Sequence, residues 1–235
     1  MSYLEDQFLE KIKKDSVKLI FELGSRDLLD AVKLSNYYNC KVYAFECNPD
    51  CLSVCNETLS QLPSSVKENI YLSTDAISLD NGDITFFPFD LTEYDNMGSS
   101  SMFKIDFSLR NSSDPDFNRK NPQKTIILKG KRLDTFMNEN NITNIDLLCI
   151  DLQGYELNAL KSLGSYLQNV KYIITECSIK STYINGANFS ELNEYLNNHN
   201  FQYVCSNKFK ESFPNLNLTG FTEFDALFIN KSNTN

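Results

Sequence analysis

The chain has 235 residues, 41 % of them hydrophobic and 23 % charged, and carries a formal net charge of −9. That length suits one domain with a full core, and no apolar run approaches the roughly 18 residues that span a bilayer. The sign of the charge argues against broad contact with a phosphate backbone. Neither nucleic acid nor membrane is therefore expected as a partner.

The local basic patch at Lys124, Lys129, Lys131 and Arg132 reads as a solvated edge. Met1 to Asp15 is polar and mixed in charge, unlike a secretory leader. The seven cysteines lie mainly in apolar runs. Reduced thiols in a cytoplasmic protein fit that usage.

Residues 1–17 form a polar N-terminal segment, and Lys18–Leu23 (KLIFEL) reads as a short buried strand closed by Gly24. Leu28, Leu29, Val32 and Leu34 then recur near helical spacing. Lys41–Phe45 (KVYAF) is a second strand, ending at Glu46. Asn48-Pro49 opens a helix that runs to about Ser60, with Asn48 as N-cap and Pro49 in the first turn. Asn69–Ser73 is a third strand. The turn Asp80-Asn81-Gly82-Asp83 predicts a small hairpin between Ala76-Ile77 and Ile84–Phe87.

Residues 90–123 form a long polar stretch carrying Arg110, Arg119 and Lys120. A loop of that length inside a domain is usually functional, and it reads as a lid. Thr125–Leu128 returns to strand, and Leu133–Asn138 is a short helix. Ile145–Ile150 (IDLLCI) is nearly continuous in apolar residues, as a central parallel strand buried on both faces would be. Glu156–Leu167 is helical in period, Val170–Thr175 is a strand ending at Glu176, and Phe189–Asn198 is a helix. Gln202–Cys205 and Phe224–Ile229 are the closing strands.

Strands alternating with helices imply an α/β, Rossmann-like sheet in a single domain spanning 1–235. The sheet is expected to be seven-stranded and mostly parallel. One antiparallel strand is expected in the edge region, with helices on both faces.

In such a sheet, ligands bind beyond the carboxyl ends of the strands. Acidic residues stand at five of those ends: Glu22, Glu46, Asp75, Asp151 and Glu176. The turn Gly24-Ser25-Arg26-Asp27 lacks the further glycines of a pyrophosphate cradle, which counts against NAD or FAD. S-adenosylmethionine (SAM) has no phosphate and needs no such cradle. Glu22 is placed to attract its positive end, Glu46 to accept ribose hydroxyls, and Asp75 to accept an adenine amino group.

Asp151-Leu152-Gln153-Gly154-Tyr155-Glu156 puts an acid and a glycine turn between the most apolar strand and a helix. Methyl transfer to a hydroxyl needs in-line positioning and often a base. Asp151 and Glu176 are the candidates for that work. Glu156 fits a helix start as well as a role in the site.

Cys47, Cys51 and Cys55 share one helix face and do not match an iron–sulfur ligand spacing. The single histidine, His199, sits at an Asn-rich helix end, so neither a His-based mechanism nor a zinc site is expected. A Mg²⁺ ion between Asp151 and Glu176 is left open, as is self-association.

The segments FELGSRD (Phe21–Asp27), VYAFECNP (Val42–Pro49), LDTF (Leu133–Phe136) and IDLLCIDLQGYEL (Ile145–Leu157) resemble the FkbM family of methyltransferases. The resemblance covers roughly residues 18 to 205. It implies a class I methyltransferase fold, SAM as donor with S-adenosylhomocysteine (SAH) as product, and O-methylation of sugar or polyketide hydroxyls. Residues Glu22, Gly24, Ser25, Arg26, Asp27, Glu46 and Asn48 would meet the cofactor. Asp75 and Ala76 would flank its adenine, and Asp151 with Leu152 would line the transfer site.

Acceptor contacts are expected from Ser101 and Arg110 in the long loop and from Gln153 and Glu156. In the first motif the family usually carries a second glycine; Leu28 stands near that place here. The leading expectation is O-methylation of a sugar hydroxyl, on a nucleotide sugar or a glycan. The alternatives are a non-sugar hydroxyl or a non-catalytic SAM-fold binding module.

Overall fold

A computed structural model describes residues 3–92, 97–109, 122–209 and 222–233. Ten strands and seven α-helices alternate along these residues. The strands are β1 (Leu19–Leu23), β2 (Lys41–Phe45), β3 (Ile70–Ser73), β4 (Ala76–Ile77), β5 (Gly82–Phe86), β6 (Ile126–Lys131), β7 (Ile145–Ile150), β8 (Val170–Ser178), β9 (Phe201–Ser206) and β10 (Glu223–Asn230). The helices are α1 (Asp6–Leu9), α2 (Leu29–Tyr38), α3 (Pro49–Gln61), α4 (Ser64–Lys67), α5 (Leu133–Glu139), α6 (Glu156–Ser162) and α7 (Phe189–Asn198).

The main sheet has seven strands in the order β3-β2-β1-β7-β8-β10-β9. Neighbours from β3 to β8 run parallel, and β10 is antiparallel to both β8 and β9. This is the class I methyltransferase arrangement expected above, with its single reversed strand next to the edge.

The pleat of β7 explains its composition. Ile145, Leu148 and Ile150 pack into a core with α5, α6 and α7, while Leu147 and Cys149 pack into a second core with α1 and α2. All six residues of β7 are buried, so neither face tolerates a polar residue without a partner. The exception is Asp146. Its Oδ2 accepts the amides of Lys18 (2.8 Å) and Leu19 (3.0 Å), and its Oδ1 pairs with Lys171 Nζ at 2.6 Å. One buried carboxylate thus ties the starts of β1, β7 and β8 together.

Two local expectations change. Ala76-Ile77 and Ile84–Phe86 do not form a hairpin. Strand β6 lies between them, parallel to β4 and antiparallel to β5, in a separate three-stranded sheet. Gly130 makes this fit, because a Cβ there would run into the side chains of Ser78 and Ile84. The Asp80-Asn81 turn meanwhile binds elsewhere: Asn81 Oδ1 accepts the Arg132 amide at 2.9 Å. The helix expected over 156–167 ends at Ser162, and a 3₁₀ segment, Gly164–Asn169, follows with Gly164 at φ +53°.

Candidate active site

The register of the parallel strands sets the site. Leu23 lies level with Phe45 on β2 and with Ile150 on β7, so the three chain ends emerge side by side. The amides of Gly24 and Ser25 both donate to the Phe45 carbonyl at 3.0 Å, and the Asp151 amide donates to Leu23 O at 3.0 Å. Gly24 has φ +90° and lies against Asp151, where a Cβ would collide with the Asp151 carbonyl. Only glycine serves at that crossing.

Beyond these ends opens a cleft of about 300 Å³. Its lining includes the anticipated Glu22, Gly24, Ser25, Arg26, Asp27, Glu46, Asn48, Asp75, Ser101, Asp151, Leu152 and Gln153. Asp30 and Glu223 add to it, so seven carboxyl groups face one guanidinium, that of Arg26. Arg26 is itself held by Asp27 at 2.8 Å.

The carboxyls differ in what they do. Glu46 is nearly buried, and both oxygens hold loop backbone. Oε1 accepts the amides of Cys47 and Asn48, and Oε2 accepts that of Arg26, all at 2.8 Å. One lone pair on Oε2 stays open to a ligand. Asn48 caps α3 by accepting the Asp50 amide at 3.2 Å, and its Nδ2 donates to Ser100 Oγ at 3.2 Å. Asp75 accepts from Ser73 Oγ at 3.1 Å and pairs with Lys131 at 3.3 Å. Ala76 is buried at the start of β4 and does not line the cleft. Glu22 accepts a hydrogen bond from Ser25 Oγ, and burial pushes its carboxyl up to about 8.

At the β7 end, Gln153 is the hub. Its Nε2 donates to Asp151 Oδ1 (2.8 Å) and Glu176 Oε2 (3.1 Å), and its Oε1 accepts from Tyr183 OH at 2.7 Å. Glu176 therefore reaches the site through this amide; it lies behind the cleft beside Gly154, Glu156 and Tyr183. Burial and then the neighbouring Asp151 charge hold Glu176 well above the carboxylate range. Two carboxyls this close share one proton. Burial raises Asp151 as well, so the pair is set to hold one proton between them.

Glu156 does not face the cleft. Its Oε1 accepts the amides of Leu152 (2.9 Å) and Gly154 (3.0 Å) and so shapes the turn that presents Asp151 and Gln153. The carboxyls of Asp151, Glu156 and Glu176 lie within 4.8 Å of one another.

Ser101 is likewise spent on structure. Its Oγ donates to Gln153 O at 2.8 Å and accepts the Phe103 amide at 3.0 Å. This pins the 97–103 wall to the turn. Arg110, Arg119 and Lys120 lie outside the described residues. The described parts of the long loop are fastened to the body by bridges Phe87–Ser101, Phe89–Gln123 and Ile105–Tyr183.

The sequence reading missed Tyr3, Tyr155, Phe86, Met97, Met102 and Glu223, all of which line the cleft. They lie far apart in sequence, and no local pattern announces them. Cys47 and Cys51 also line it, both with thiols pushed up by burial, in keeping with packing roles. His199 is exposed, with Nδ1 2.8 Å from Tyr195 O.

Residues 27–203 match the family model described as Methyltransferase FkbM domain. The curated 2-O-methyltransferase NoeI of Sinorhizobium fredii is 27 % identical over 170 residues, covering 70 % of this chain and 65 % of that protein. This chain thus matches somewhat less than two thirds of NoeI's length. Among solved structures, M. capricolum TrmK, in complex with S-adenosylhomocysteine, aligns over 98 % of this chain and 69 % of its own, with TM-score 0.51 and 12 % identity.

Proposed function

The chain belongs to the FkbM methyltransferase family, and from that premise we propose that it moves a methyl group from SAM to a hydroxyl of a sugar. The observation that carries the cofactor reading is the acidic lining of the cleft: seven carboxyls, of which Glu22 is held neutral at pH 7 by burial, against one paired guanidinium. A dinucleotide or other phosphate ligand is repelled there. A ligand bearing a sulfonium and an ammonium is attracted. When bound, SAM supplies an activated methyl group that a hydroxyl oxygen can attack.

The chain's own groups supply the rest. The Gly24 turn and Glu46 form the floor on which the cofactor would lie. Asp151, kept ionised by the proton on Glu176, takes the proton released by the acceptor hydroxyl. Gln153 fixes the Asp151 carboxylate in place, and Glu156 fixes Gln153's turn. The sugar class is supported by the family resemblance and by the 2-O-methyl transfer in the name of NoeI.

Ion pairing supports a small acceptor over a nucleic acid. Lys124, Lys129, Lys131 and Arg132, the basic patch, each pair with a carboxylate: Asp90, Asp83, Asp75 with Glu139, and Asp134. Among the described residues no helix is long and apolar enough to cross a membrane.

Titration calorimetry with SAM and SAH, with NAD as control, tests the cofactor. Binding of both without NAD is the expected result. Methyl transfer to sugars and nucleotide sugars, with RNA as a comparison acceptor, tests the rest. Transfer to RNA and to no sugar would refute the acceptor class.

A further inference from the structure

Tyr3 is 3 % exposed, yet it lines the cleft. The segment that brings it there is anchored in the body of the protein. Phe8 is fully buried, Gln7 Nε2 donates to Ser206 O at 3.3 Å, and Cys205 Sγ donates to Gln7 O at 3.4 Å. The ring packs in the core shared by α1, α2 and β1. Its hydroxyl makes no hydrogen bond to the described residues. The hydroxyl oxygen is not closed off from the cleft. It is satisfied by whatever fills the cleft.

The neighbours say which part of a ligand that is. Burial first, and then the charges of Asp151 and Glu22, keep the Tyr3 hydroxyl protonated. It can therefore only donate to an anion. Glu22 and Asp151 flank the Gly24 turn; Glu22 is the group read from the sequence as placed to attract the positive end of SAM, which puts the cofactor's amino-acid tail at this end of the cleft. That tail carries an ammonium and a carboxylate. The ammonium has carboxyl partners in abundance. The carboxylate has fewer: Ser25 Oγ is held by Glu22, the Gly24 and Ser25 amides by Phe45 O, and Arg26 gives its Nε and Nη2 to Asp27, so Nη1 of Arg26 and the Tyr3 hydroxyl are the donors still open among these groups.

We propose that Tyr3 is a cofactor-binding residue whose hydroxyl donates a hydrogen bond to the α-carboxylate of the cofactor's amino-acid tail. The proposal rests on the reading of the chain as SAM-dependent.

The test is calorimetry on the full chain and on Tyr3→Phe, with two probes. SAH carries the tail; 5′-methylthioadenosine has the same nucleoside and thioether but no amino-acid tail. Tyr3→Phe keeps the ring in the core, so its melting temperature should match that of the parent. It should bind SAH about 10- to 100-fold more weakly while its affinity for methylthioadenosine stays within roughly twofold. Equal losses for both probes, or no loss for either, would overturn the proposal. So would unchanged SAH affinity with a raised acceptor KM, which would turn Tyr3 towards the acceptor. Failure of the parent chain to bind SAH at all would instead bring down the cofactor reading, and this inference with it.

Discussion

Leu28 is a large apolar residue at φ +68°, fully buried at the N-cap of α2. The left-handed region disfavours side chains with a Cβ by roughly 1–2 kcal/mol. The resemblance puts a glycine near this place, and the backbone has the conformation that glycine enters freely. Leu28 is held there by its burial. Truncation removes that hold, and both the left-handed backbone and the N-cap position then favour glycine over alanine. Leu28→Gly should be more stable than Leu28→Ala by about 1 kcal/mol, both being weaker than the parent. Urea denaturation of the two variants decides this.

Asp151 and Glu176 separate by protonation. Asp151→Asn removes the proton acceptor and should lower kcat by about 10²- to 10⁴-fold while SAH binding is retained. With the shared proton on Glu176, as proposed, Glu176→Gln replaces one neutral group by another and should keep most of the activity at pH 7. Equal losses in the two variants, read from steady-state kinetics, would break this division of roles.

At the scale of elements, Asp146 joins β1, β7 and β8 at the ends opposite the cleft. Asp146→Ala leaves two strand amides and the Lys171 ammonium without their partner. It should cost about 3–5 kcal/mol, seen as a lower melting temperature, with KM for SAM unchanged in the fraction that stays folded.

Element boundaries in the main sheet were legible in the sequence because each strand is a short apolar run and each turn carries its own chemistry, as Asn48-Pro49 shows. The small sheet was not. The Asp80-Asn81-Gly82-Asp83 signal does mark a bend, at Asp80-Asn81 just before β5, but a bend does not name its strand partners. Only the fit of Gly130 between Ser78 and Ile84 does. The acids at the strand ends were legible as a set, and the cleft gathers them. What each one grips was not, since the grips of Glu46, Ser101 and Glu156 are backbone amides and carbonyls that leave no mark on side-chain patterns.

The whole molecule stores carboxyl groups in its interior. Glu22 is pushed up to about 8, and Glu156 and Asp225 to about 7, by burial first of all. Such groups bind protons in the folded state that the unfolded chain has already released. Their contribution is fully present below the ordinary carboxyl range and is lost as pH rises through 7 to 8. The melting temperature of the free protein should therefore fall between pH 5 and pH 8, and Glu22→Gln should flatten that slope. A ligand with positive charge favours ionised Glu22, so SAM affinity should rise over the same interval. A melting temperature that climbs from pH 5 to pH 8 would contradict the assignment.

Strand β10 comes last of the ten in sequence yet lies between β8 and β9. During synthesis, β8 and β9 leave the ribosome first, and each keeps an unsatisfied edge until residues 223–230 arrive. Seven residues of β8 wait for partners on β10. Open edges of this kind invite pairing with other chains. The interval between the emergence of β9 and β10 is thus the moment at which a nascent copy is most exposed to misassembly, and a slow codon run placed there would be felt as lost yield rather than as lost activity.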